Sequence, residues 1–417
     1  MAPVESLPRL FVAYVPGLDA RRVDAQRTPF LHDLSRSFPR VALRTLPTTE
    51  LLPTLITGVY PHQHGIWQVS LKPEVRAMPP PRWADHLPDW CSTTLQCVRQ
   101  FTDSSYDLAT VPARRLRQFE LARFKYTRRE RDGRVLEQIG PCPTLFGILG
   151  ERSRYLFTKS FEALPSLAQE LPSARYQLEL LEMYALDLFQ HWHMDQREEM
   201  DQAYRQADDF LRRLQGSARE RGVSLMVLVD HGQEPVVGTI PLLRMLQESG
   251  VPEREYSYFL ELAMARFWFH TDRARSRIRE GLARLPRLRV LSWQDLAAYG
   301  IRFQDDAFGE LYACADPGWI FYPHDYYQPL ASLFLGLTDR HQRPRIFQPR
   351  HRGNHGYLPE HPSERGYVLL TEEGWRAQKD EMAIVDFAPS VLSLLGHAPP
   401  PAMQGSAVFQ RSGQPTG

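Results

Sequence analysis

The stretch Val223–Gly232, VSLMVLVDHG, decides the fold. An almost unbroken apolar run, Val223–Val229, leads directly into an acid, an imidazole and a glycine. Strands that are apolar on both faces belong to parallel sheets covered by helices on both sides. Immediately upstream, Asp201–Arg221 carries Ala203, Ala207, Phe210 and Leu214 at helical spacing, which predicts an amphipathic helix. Helix, buried strand and polar turn in succession are the unit of an α/β sheet, and ligands bind there beyond the carboxyl ends of the strands. Asp230 and His231 stand at such an end, and Gly232 lets other backbone or ligand approach closely.

Working outward, Leu10–Val15 ends at Pro16-Gly17 and reads as a buried first strand. Thr28–Leu34 opens a helix, with Thr28 as N-cap and Pro29 at the first helical position. Arg40–Leu46 reads as a strand, and Glu50–Tyr60 as a helix that tolerates Pro53 near its start. Pro143–Arg152 is expected to be helical, Tyr176–Leu186 a central strand, Gly366–Leu370 a strand and Val385–Leu395 a final helix. Between Thr239 and Pro344 the pattern changes. Strands are expected at Ala265–His270, Leu288–Leu291 and Glu310–Ala315, with helices at Arg273–Leu285 and Trp293–Tyr299. The expected fold class is α/β: a doubly wound, mostly parallel sheet with a small α+β insert. The catalytic core would comprise residues 1–240 and 345–417, the cap insert 241–344. An irregular insertion spans about 69–140, where Met78-Pro79-Pro80-Pro81 breaks regular structure.

The 417 residues are 43% hydrophobic, enough for a substantial core, and a net charge of +1 gives no general pull toward nucleic acid or membrane. Arg114–Arg134 interleaves arginines with Phe119, Phe124 and Tyr126, but Glu120, Glu130 and Asp132 dilute the charge, so it reads as a solvated helix face rather than an RNA contact. No nucleic-acid partner is expected. No apolar run approaches the ~20 residues that span a bilayer, so no membrane partner is expected either. Cys91, Cys97, Cys142 and Cys314 form no CxxC pair, and Met1–Arg9 lacks a signal-peptide pattern, so a cytoplasmic location is expected. Only Lys72, Lys125, Lys159 and Lys379 are lysines, which disfavours a catalytic lysine.

The chemistry lies in scattered pieces. Asp187 and His191 are four residues apart and share one face if the chain turns helically there. A carboxylate with an imidazole suits zinc, manganese or iron, and His193 is a nearby spare. His355 lies between Gly353 and Gly356 in GNHGY. Thr48 precedes a helix, near unpaired N–H groups that favour anions. Its hydroxyl attacks only if the alkoxide is stabilised, which a bound divalent ion would do. Thr49 is a rival for that role.

Taken together, these pieces resemble the alkaline phosphatase superfamily, and most closely its type I phosphodiesterase and nucleotide pyrophosphatase branch. TTELLPTLITGVYPHQHGI at Thr48–Ile66 is similar to that branch's nucleophile turn, and the spacing from Thr48 to Thr57-Gly58 favours Thr48 over Thr49. Asp187 with His191 matches its D-x-x-x-H element, VLVDHG at Val227–Gly232 its strand-then-DHG element, and GNHGY at Gly353–Tyr357 its last histidine motif. ADPGW at Ala315–Trp319 and VDFAPSVLSLLG at Val385–Gly396 resemble further stretches.

The resemblance implies two divalent metal ions, usually zinc. Asp187, His191 and His355 would hold the first. Thr48, Asp230 and His231 would belong to the second, with an aspartate at the end of strand one. Two positions depart from the pattern. The strand-one aspartate aligns with Pro16, and Asp19, three positions later, takes its place if the turn bends inward. The branch's phosphate-holding asparagine aligns with Val69, beside which Gln68 is the candidate substrate contact. The expected activity is metal-dependent hydrolysis of a phosphodiester or pyrophosphate bond in a small phosphorylated substrate, with Thr48 as nucleophile. The alternatives are a phosphomonoesterase, a phosphoryl or phosphonate transferase, and a catalytically degenerate binding protein. No C/S-x-P-x-R element marks a sulfatase.

Overall fold

The computed structural model describes residues 8–67, 82–92, 94–95, 137–325, 327, 333, 337 and 348–412. Gln68, the Arg114–Arg134 stretch and most of the 69–140 insertion lie outside them. The core is a seven-stranded sheet. Its strands are β1 (Leu10–Tyr14), β2 (Arg40–Arg44), β3 (Ser153–Thr158), β4 (Leu178–Met183), β5 (Ser224–Val229), β6 (Arg365–Leu370) and β7 (Glu381–Ala383). The spatial order is β7-β2-β6-β5-β1-β4-β3. All pairs are parallel except those of β6, which runs antiparallel to both β2 and β5.

Alternation along the strands builds two cores. Leu10, Val12 and Tyr14 of β1 and Met226 and Leu228 of β5 face one side, where they meet helices α2 (Leu52–Thr57) and α5 (Phe387–Leu394). Phe11, Ala13, Leu225, Val227 and Val229 face the other, under α1 (Pro29–Ser37), α3 (Ala185–His193) and α4 (Arg197–Glu220). β1 lies between β4 and β5, so three strand ends open on one side of the sheet. Gly366 is required in β6, because a Cβ there would lie 2.1 Å from the Val229 carbonyl oxygen.

Several local expectations shift. The central strand ends at Met183, not Leu186, and Asp187 sits in the first turn of α3 rather than at a strand end. The helix expected over Glu50–Tyr60 is only Leu52–Thr57, because Gly58 takes a left-handed conformation (φ 67°) and Pro61 starts a separate turn. Thr28 does not cap α1 through its side chain. The Asp208 carboxylate of α4 does so instead, accepting the N–H groups of Phe30 and Leu31 at 3.0 and 2.9 Å. Trp293–Tyr299 is a 3₁₀ turn confined to Asp295–Tyr299.

A second, antiparallel sheet orders Tyr256–Leu260, Met264–Phe269, Leu311–Ala315 and Leu288–Ser292. Helix Asp272–Arg284 packs on this sheet through Ala274, Ile278 and Leu282. Gly238–Ile240 pairs in parallel with Trp319–Phe321, which brings the entry and exit of this region together. Trp67 ties the region to the main core, with rings of Phe303 and Tyr312 edge-on at 5.4 and 5.3 Å. No described helix is long and apolar enough to cross a membrane. Among the described cysteines, Cys91, Cys142 and Cys314 are free, and the last two are buried.

Candidate active site

A cleft of about 500 Å³ opens beyond the carboxyl ends of β1, β4 and β5. Pro16 lines it from the end of β1, Asp187 and His191 from α3, Asp230 and His231 from the end of β5, and His355 from the loop before β6. Residues spread over most of the chain thus meet where sheet topology leaves room for a ligand.

Asp187, His191 and His355 form one cluster, their ligating atoms all within 4.8 Å of one another. Helical spacing sets His191 Nε2 3.5 Å from Asp187 Oδ2, and His355 Nε2 is 3.7 Å from Asp187 Oδ1. His191 Nδ1 faces the Gly353 carbonyl at 2.9 Å, where only a donor fits, so a neutral ring keeps its lone pair on Nε2, toward the carboxylate. Asp187 Oδ2 and His355 Nδ1 are buried with no hydrogen-bond partner. Ring nitrogens set around a buried carboxylate whose Oδ2 is unsatisfied fit a cation between them, and the mixed N/O donor set suits a divalent transition ion. Burial raises the Asp187 carboxyl, but His355, His191 and His231 around it outweigh this and hold it far below the ordinary carboxylate range. Burial pushes His355 well below the ordinary imidazole range, which favours the unprotonated ring that a cation needs.

The surrounding shell fixes this geometry. Gln233, directly after Asp-His-Gly, donates to Asp187 Oδ1 at 2.6 Å and to the Asp187 carbonyl at 3.0 Å. Gly17 has φ 78°, and a Cβ there would sit 3.0 Å from Asp187 Oδ1 and 2.8 Å from Gln190 Nε2, so only glycine fits. Glu364 accepts the Gly356 N–H at 3.0 Å and so fastens the His355 loop. Burial raises the Glu364 carboxyl to about 7, against the pull of His231.

The second expected ion finds a different setting. Asp230 Oδ1 accepts the His231 N–H at 2.8 Å, and Oδ2 accepts the Tyr14 hydroxyl at 2.5 Å while lying 3.3 Å from His231 Nε2. Both oxygens are therefore already engaged within the protein. The His231 ring stacks on His355 with centroids 3.8 Å apart. Asp19 does not replace the missing strand-end aspartate. Its carboxylate points away from the cleft wall to Arg21, accepting Nε at 2.9 Å and Nη2 at 2.6 Å, and it abuts Gly232. The three-residue offset from Pro16 carries it into the first turn of a 3₁₀ segment, where it caps Arg21 instead. Replacement of Asp19 by alanine is therefore expected to leave bound zinc per chain unchanged, as read by elemental analysis after dialysis. Loss of zinc would place Asp19 among the ligands. The described residues thus fit one ion at the triad and do not complete a second site.

Thr48 and Thr49 diverge. Thr48 is buried, and its Oγ1 accepts the Glu50 N–H at 3.0 Å. Thr49 lines the cleft, its Oγ1 has no hydrogen-bond partner, and its methyl meets Gly356. Gln68 lies outside the described residues. Sequence reasoning overlooked Tyr14, Gln233, Trp192 and Arg350. Gln233 adjoins a recognised motif and was accessible to it. Arg350 sat unremarked in an arginine-rich stretch. Among the described lining residues Arg350 is the one fixed cation, against the acids Glu50, Glu182, Asp187, Asp230 and Glu261.

The profile of the family described as type I phosphodiesterase / nucleotide pyrophosphatase matches residues 12–358. Human ectonucleotide pyrophosphatase/phosphodiesterase 5 is similar in structure, with TM-score 0.61 and 16% identity over 95% of this chain and 97% of that one. The murine protein, as an inactive variant in complex with AMP, gives TM-score 0.60 and 16% identity over 96% and 97%. At this identity the likeness establishes the fold. No curated protein sequence matches the chain.

Proposed function

The chain belongs to the type I phosphodiesterase/nucleotide pyrophosphatase family and is a hydrolase of that class, and from this premise we propose that it cleaves phosphodiester or pyrophosphate bonds at the Asp187–His191–His355 centre, with Thr48 as nucleophile. The observation that carries the reading is the triad itself: a buried carboxylate faced by one imidazole at each oxygen, with Oδ2 left without a hydrogen-bond partner. Asp187, His191 and His355 would hold a divalent ion, zinc before manganese or iron, which would supply Lewis-acid stabilisation of phosphoryl oxygens.

The chain's own residues do the rest. The Glu50 amide that Thr48 Oγ1 already accepts stabilises the charge that grows on that oxygen as its proton leaves. Attack forms the Thr48 O–P bond and breaks the bond to the leaving alcohol or phosphate, which takes a proton. Water then cleaves the phosphothreonine, restoring the hydroxyl. Asp187, His191 and His355 form the centre, Gln233 holds Asp187, Glu364 fastens the His355 loop, and the apolar walls from Leu51, Leu52, Leu188 and Leu262 limit water. A second reading gives the attack to Thr49, because that residue lines the cleft and its hydroxyl, though buried, has no hydrogen-bond partner. Glu261, Leu262 and His324 reach the cleft from the 241–344 segment, which supports that segment as a roof that selects the leaving group.

The lining charge favours a diester over a monoester, since a monoester dianion needs more positive charge than Arg350 provides among five acids. Zinc-loaded protein is therefore expected to turn over bis(p-nitrophenyl) phosphate at least ~10-fold faster than p-nitrophenyl phosphate, a difference of about 1.4 kcal/mol in transition-state binding. A preference for the monoester would assign a phosphomonoesterase instead. A proposed small phosphorylated substrate accords with the AMP bound to the murine relative.

A further inference from the structure

Arg350 lines the same cleft as the triad, yet it takes no part in the chemistry described above. Its guanidinium carbon lies 4.6 Å from the centre of the Trp192 ring. It forms no hydrogen bond or ion pair with any described residue. Tyr322 and Tyr327 lie near it, and burial lowers its pKa while leaving it charged. A partly buried cation without a carboxylate is costly unless a ligand supplies the anion.

Its placement is tied to the centre. Trp192 directly follows the ligand His191 in α3. His351 stacks on Trp192 with centroids 5.8 Å apart and meets His191 edge-on at 5.6 Å. The guanidinium is thus held on a rigid platform one residue from the metal ligand. Resting on the reading of a diester hydrolase, we propose that Arg350 is a specificity residue that receives a second phosphoryl group, beside the one that reacts at the triad. The substrate class is then a phosphoric anhydride with two or more phosphates, not a simple dialkyl or diaryl phosphate.

The chemistry supports that choice. A planar guanidinium grips phosphate oxygens through paired N–H donors, and Trp192 holds its plane while leaving the N–H edge available. A diphosphate diester carries one negative charge on each phosphorus, so the triad and Arg350 each meet one. A cleft of about 500 Å³ has room for both groups.

The test uses a matched pair of substrates, bis(p-nitrophenyl) phosphate and bis(p-nitrophenyl) diphosphate, with the zinc-loaded full chain and products separated by chromatography. Wild type is expected to prefer the diphosphate. Arg350→Met should lower kcat/KM on the diphosphate by ~10- to 100-fold, the range for a hydrogen bond to a charged group, and on the monophosphate diester by less than ~3-fold. Arg350→Lys, which keeps charge but loses the fork, should fall between and lie mainly in KM. Equal losses on both substrates would overturn the proposal, giving Arg350 a structural role or a contact with the reacting phosphoryl group. A wild type with no preference for the diphosphate would overturn it as well. Either result leaves the diesterase reading intact, whereas no turnover of either substrate by the wild type sinks that reading and the proposal together.

Discussion

Asp187→Ala is expected to strip the bound ion from the protein and to lower kcat/KM on bis(p-nitrophenyl) phosphate by far more than 100-fold. The reasoning starts from position. Asp187 is the member both imidazoles face, at 3.5 and 3.7 Å, and its Oδ2 has no other partner. Removing it leaves two imidazoles without the carboxylate between them. Loss of an outer-shell partner alone typically costs 10- to 100-fold in affinity or activity. Gln233→Ala, which removes the donor at 2.6 Å to Asp187 Oδ1, should fall in about that range. The graded pair separates a metal role from a folding role. If Asp187→Ala binds zinc as tightly as wild type, in titrations against a competing chelator, the triad is not the metal centre.

The second large effect concerns the nucleophile. Thr48→Ala should lower kcat by ~10³-fold or more, as loss of a nucleophile does, while Thr49→Ala should cost less than ~10-fold. Thr48 draws its case from motif spacing and from the amide that already meets its oxygen at 3.0 Å. Thr49 draws its case from its place in the cleft lining and a buried hydroxyl without a partner. Rapid-quench trapping of a phosphorylated peptide identifies which of the two carries phosphate. The reverse order of effects would hand the attack to Thr49. Full activity in both variants would remove threonine from the mechanism, leaving water as the attacking group.

The core was legible because its signals are local. The unbroken apolar run before Asp230 and the strand ending at Pro16-Gly17 report burial directly, and burial on both faces demands the observed helical layers. Asp187 and His191 were legible as a pair for the same reason: four residues apart, they meet once the chain is helical. What escaped reading depends on tertiary direction. Whether Asp19 turns inward is decided by Arg21, two residues on, which captures the carboxylate. Thr28 looked like a cap, yet Asp208 of a distant helix supplies it. The Tyr14 hydroxyl reaches Asp230 only because β1 and β5 are neighbours in the sheet, with Tyr14 opposite Leu228. Arg350 gains meaning from Trp192, more than 150 residues earlier in the chain. No local periodicity encodes such pairs.

The most direct measurement is turnover of bis(p-nitrophenyl) phosphate by the purified chain before chelation, after chelation, and after zinc, manganese or iron is returned. The account predicts that chelation abolishes turnover and that one of these ions restores it in wild type but not in Asp187→Ala. Turnover that survives complete removal of metal, or that no divalent ion supports, would contradict it.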